Sequence, residues 1–190
     1  MKPIIAFLVP AFLFFITTDA QIIPVKNALQ TDIARVVNDF PNGFKNITGE
    51  EIKTNPQSVE YNSQVQVKEA AGCKVIKYSS AVKEIFSWEA EMMRTEDFET
   101  AAKKFKTVYN SLQHLSADVN GTRLVFKGDY KKPTESIKFT TIVFDASDKH
   151  PDMKHLKISL VLEVEMLEWV IKIQVYEKER EDNDRGRQID

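Results

Sequence analysis

The chain has 190 residues, with 26 Lys and Arg set against 28 Asp and Glu, a net charge of −2. That near-neutral balance is spread along the chain and gives no electrostatic reason to expect nucleic acid or an anionic membrane as partner. With Cys73 as the one cysteine an internal disulfide is excluded, so packing alone must hold the fold. No phosphate loop, GxGxxG, HExxH, CxxC or G-x-S-x-G pattern occurs, and six glycines leave little flexible backbone to cradle a nucleotide.

The chain opens with Lys2, an apolar run from Ile4 to Ile16 interrupted by Pro10, and then Thr18 and Ala20 at the small-x-small positions. This is the pattern of a secretory leader, and the run is too short for a transmembrane anchor, which needs about 20 apolar residues. Residues 1–20 are therefore expected to be a cleaved signal peptide, with a secreted or periplasmic protein starting at Gln21. No later run is long enough to span a bilayer. The domain is expected over 21–176, and the charged stretch 177–190 is expected to be a flexible, solvated tail. Asn46-Ile47-Thr48 and Asn120-Gly121-Thr122 are glycan acceptor sequences in a eukaryotic secretory route, and Asn120-Gly121 also reads as a turn.

Leu29, Ile33, Val36, Val37 and Phe40 recur at helical spacing and predict a helix over 27–40, stopped by Pro41-Asn42-Gly43. Phe44, Ile47 and Ile52 suit a short second helical piece. The period then becomes two. Val59, Tyr61, Val65 and Val67 predict a first strand, 73–78 a second, and Phe86, Trp88, Ala90 and Met92 a third. Thr95 is the expected cap of a helix whose buried stripe is Phe98, Ala101, Ala102, Phe105, Val108, Tyr109 and Leu112. Four strands follow, over 123–130, 136–145, 155–165 and 169–177, the last two joined at the tight Met166-Leu167-Glu168 corner.

The pattern predicts an α+β domain, an antiparallel sheet of about seven strands in helix-β3-helix-β4 order packed against two amphipathic helices. A helix followed by a meander, twice, suggests a pseudo-repeat in shape, although no residue-level repeat exists.

Candidate sites are few. Asp145, Asp148, His150, Asp152 and His155 are the densest group of metal-ligating types, but their spacing fits neither a calcium loop nor a zinc motif and suits a solvated turn. Glu163, Glu165 and Glu168, with Glu89 and Glu91, could supply paired carboxylates, yet alternation turns Glu163 and Glu165 away from the apolar face. Cys73, beside Val75 and Ile76, reads as a small buried hydrophobe rather than a nucleophile. Trp88, Trp169 and Tyr176 are the aromatics expected to mark a binding surface if they stand on an open sheet face. The sequence thus favours an exported, non-enzymatic binding protein with no cofactor. Its partner would be a protein or a small apolar ligand, held on a sheet face or in a sheet–helix cavity. A small metal-dependent hydrolase built on the 145–155 turn is the alternative, and a structural envelope subunit a further one.

Overall fold

The computed structural model describes residues 27–79, 84–146, 153 and 155–177. The expected leader, most of the charged tail, and Asp148, His150 and Asp152 lie outside them. Helix α1 (Ala28–Asp39) starts in a reciprocal cap. The Asn27 side chain accepts the Gln30 N–H at 2.8 Å, and the Gln30 side chain accepts the Asn27 N–H at 3.1 Å. A 3-10 turn at Phe40–Asn42 and left-handed Gly43 (φ 61°) end it, where Pro41 is tolerated in the first turn. Phe44 follows at φ 58°, and this unfavourable backbone drops its ring into the core beside Phe40.

Nine strands follow: β1 (Thr48–Asn55), β2 (Ser58–Ser63), β3 (Gly72–Tyr78), β4 (Ile85–Thr95), β5 (Ser116–Val119), β6 (Thr122–Lys127), β7 (Phe139–Ala146), β8 (Leu156–Glu165) and β9 (Glu168–Glu177). Helix α2 (Phe98–Leu112) lies between β4 and β5. All pair antiparallel in the order β1-β2-β3-β4-β9-β8-β7-β6-β5. The α+β class and the antiparallel sheet are as expected, but nine strands in helix-β4-helix-β5 order replace about seven. The two extra strands are β1 and β5, at the two edges of the sheet. Strand β1 carries Ile52 as its one large apolar residue, whereas β5 spans only four residues but buries Ala117 and Val119 in the core. Ile52 thus sits in a strand, not a second helical piece.

Other boundaries move as well, and the strands expected over 123–130 and 136–145 run Thr122–Lys127 and Phe139–Ala146. Strand β2 stops at Ser63, whose hydroxyl accepts the Val65 N–H at 3.1 Å and turns Val65 and Val67 into the core. Asp97, not Thr95, caps α2 by accepting the Thr100 N–H at 2.7 Å, and that bond holds the Asp97 carboxyl below its usual range. Among the described residues no helix is long and apolar enough to cross a membrane.

Both helices contribute to a core that also takes one face of the sheet. Ala101, Phe105, Val108 and Leu112 of α2 join Ile33, Val36 and Val37 of α1. They meet Trp88, Ala90 and Met92 of β4, Ile171, Ile173 and Val175 of β9, and Leu160 and Leu162 of β8. The other face of the sheet carries most of its charged residues and also buries Ile76, Val161, Val170 and Tyr176.

Candidate functional site

Register defines that polar face. Lys74, Glu89, Gln174 and Ser159 stand in one row across β3, β4, β9 and β8, and Glu91 opposes Lys172 in the next. Lys74 bridges Glu60 (3.2 Å) and Glu89 (3.4 Å), while Gln174 donates to Glu89 at 2.9 Å. Lys172 pairs with Glu163 at 2.9 Å and also with Glu165. Arg94 reaches Glu91 and Glu165 at 2.9 Å each and Glu168 at 3.5 Å. Burial works against the Lys172 charge, but the hydrogen bonds to Glu165 and Glu163 outweigh it and raise its pKa. The bond from Lys172, helped by Arg94, lowers that of Glu165.

These pairs answer the question of paired carboxylates. Glu89, Glu91, Glu163, Glu165 and Glu168 are each engaged with a cation. A hollow of about 460 Å³ between β1 and this face is lined by Ile52, Asn62, Gln66, Ala71, Gly72, Cys73, Lys74, Glu89 and Glu91, a wall of mixed charged, polar and small groups. Cys73 lies buried on the other face. Burial pushes its thiol above the ordinary value, although the Val67 N–H donates to its Sγ at 3.4 Å.

The expected aromatic surface is corrected. Trp88 is fully buried, with its Nε1–H donating to Ser63 Oγ at 2.9 Å. Trp169 is buried against the Phe98 ring at 5.0 Å, with the Lys138 ammonium 5.0 Å from its own ring. Tyr176 is buried on the polar face between Ser87 and Lys157. None of the three is open: Trp88 and Trp169 belong to the core, and Tyr176 is buried on the opposite face. Of the expected metal group, Asp145 and His155 are described, and Asp145 pairs with Lys157 across the β7–β8 ladder. Among the described residues no three His, Cys, Asp or Glu converge to hold a metal ion.

What is open lies elsewhere. Met166 and Leu167 form the two-residue turn between β8 and β9 and are 95 % and 89 % exposed. Both sit at positive φ, 48° and 75°. A two-residue hairpin of this hand calls for Asn-Gly, and bulky residues there cost roughly 1 kcal/mol or more each. At Phe44 the same strain is offset by a buried ring; here no such burial is found among the described residues. On β7, Phe139 opposes Glu163, and the Val164 N–H donates to the Lys138 carbonyl at 3.1 Å. That line carries Ile137 alongside Glu165, next to the turn. Ile137 and Phe139 are each more than half exposed.

Four apolar side chains therefore share one end of the sheet, above a collar of mutually paired charges (Arg94, Lys172, Glu163, Glu165, Glu168). The collar fixes the hairpin and leaves its tip to act by burial, worth about 2 kcal/mol per large side chain fully covered. Sequence reasoning passed over all four. The available signal was an apolar pair at a corner where turn chemistry demands Asn or Gly. The chain matches no protein-family model, and neither the curated proteins nor the solved structures contain a match to it.

Proposed function

We propose that this chain is an exported, non-enzymatic binding protein, secreted or periplasmic, that seats a protein partner on the apolar end of its sheet. The leader-like residues 1–20 support export. One observation carries the binding reading: Met166 and Leu167 are held at positive φ, which costs stability, and their exposure gains no burial in return. Strained and solvent-facing apolar residues are retained where they serve contact with something else. A protein partner suits this end better than an anionic lipid surface. Glu165 and Glu168 flank the turn directly and would be driven against lipid phosphates, whereas a protein pocket can accept the apolar tip and leave a paired rim in water. The hollow near Ile52 sets Lys74, Glu89 and Glu91 into its wall, which suits a small apolar ligand poorly.

The test is a benzophenone amino acid placed at Leu167 in the native host, with the same group at Asn120 in the β5–β6 turn as control. A discrete cross-linked species from position 167 alone is expected. Identical adducts from both positions, or none from 167, would remove the apolar end as the partner surface.

A further inference from the structure

Beside this apolar end the sheet has a notch. Strand β6 pairs with β7 only at Phe126–Ala146 and Lys127–Asp145, then leaves the sheet through the 128–138 loop. The β7–β8 ladder fixes which main-chain groups are affected. The Val164 N–H bonds to the Lys138 carbonyl, and close pairs alternate along an antiparallel ladder. Thr140, Ile142 and Phe144 therefore exchange bonds with β8, while Phe139, Thr141 and Val143 aim their N–H and C=O groups the other way. Gly128 covers Val143, since a Cβ on it would lie 2.8 Å from the Val143 carbonyl oxygen. Among the described residues no main-chain bond reaches Phe139 or Thr141 on that side.

Both outer edges of the sheet are guarded. Strand β1 carries Glu50, Glu51 and Lys53 and two breaks in register, and α1 packs against β5. The notch has none of these devices: Phe139-Thr140-Thr141-Ile142 is uncharged, rich in β-branched residues and free of proline. Its outward donors and acceptors recur every second residue, about 6.7 Å apart, a spacing met by another extended main chain.

We infer that the β7 notch takes an extended peptide segment of the partner as an added antiparallel or parallel strand, with Phe139 and Thr141 supplying the main-chain bonds. This rests on the reading of the same end of the sheet as a partner surface, and it names the form in which the partner arrives. Specificity then comes from side chains on the open face beside Phe139 and from the Met166–Leu167 tip.

The probe is a phage-displayed library of random heptapeptides panned on the whole chain, with every enriched peptide re-tested on two variants. Thr141→Pro removes one outward N–H without touching the β8 ladder, a position where an edge strand tolerates proline. Capture by Thr141→Pro is expected to fall about tenfold or more, the loss of one hydrogen bond in an otherwise dry contact. Amide exchange on the unsubstituted chain gives the second readout: the enriched peptide should slow the Phe139 and Thr141 amides, which also decides the matter if Thr141→Pro fails to fold. Met166→Asn/Leu167→Gly separates the two readings. Capture lost there but kept in Thr141→Pro overturns the added strand and leaves the apolar tip standing. Capture lost only in Thr141→Pro upholds the strand and removes the tip. No enriched peptide, or enriched peptides that leave both amides unprotected, overturns the inference.

Discussion

The Val119–Thr122 and Glu165–Glu168 hairpins turn through two residues each, at φ 50° and 80° for Asn120 and Gly121 and at 48° and 75° for Met166 and Leu167. The backbones agree closely; the side chains could hardly differ more. Asn-Gly is the pair that this turn selects, because Gly has no Cβ to clash and Asn tolerates the left-handed region. Met-Leu satisfies neither condition and is almost wholly exposed as well. The first turn is explained by folding alone. The second is not, and that difference is the observation on which the proposed partner surface rests.

Exchanging the two pairs is the most direct way to break the comparison. Asn120→Met/Gly121→Leu should lower stability by about 1–2 kcal/mol, the cost of non-glycine residues in the left-handed region. An added Cβ at Gly121 meets open space, so backbone strain alone would be measured. Met166→Asn/Leu167→Gly should raise stability by about the same amount while removing both apolar side chains from the tip. Urea titration of both variants reads the two effects. If the second variant is also less stable, Met166 and Leu167 are held by contacts within the chain, and the argument for a partner loses its footing.

Much of the scaffold was legible beforehand. The Phe98-to-Leu112 stripe and the alternation of β8 and β9 come from burial, which periodicity reports directly. Thr48–Asn55 escaped because an edge strand facing water has no alternation to show, and Ser116–Val119 because four residues hold too little pattern. Alternation also assigns faces without saying what covers them. Trp169 and Tyr176 point to opposite faces of β9, and both are buried, one against Phe98 and the other between Ser87 and Lys157. The Met166–Leu167 signal depends on loop length, which follows only once both strand ends are fixed by register. The β7 notch was hidden for a deeper reason. It consists of missing pairing, and a sequence records residues, not the bonds that they lack.

A smaller effect sharpens the contrast at the base of each hairpin. Lys172 supports the β8–β9 hairpin through Glu163 and Glu165 from a largely buried position. Lys172→Met should cost about 1 kcal/mol, since it leaves two part-buried carboxylates with fewer partners. Hydrogen exchange should quicken at Glu165–Glu168 and remain unchanged at Val119–Thr122. Equal quickening at both turns would mean that the polar network stabilises the whole sheet rather than this end of it.

The smallest effect is the one with a defined pH signature. Glu165 has its pKa lowered in the folded chain by the Lys172 bond, with Arg94 adding to it. A carboxylate with a depressed folded pKa contributes stability that is complete above its unfolded value, about 4.3, and is lost as pH falls through the folded value. Glu165→Gln should therefore cost about 0.5 kcal/mol at pH 7, a modest figure because solvent screens the pair. The gap between the two proteins should close as the pH drops below about 4, once the unsubstituted Glu165 is protonated as well. Thermal unfolding of both proteins between neutral and acid pH measures this. A gap that persists in acid would assign Glu165 a packing role. A gap that closes ties the collar's charge to the strained tip that it supports.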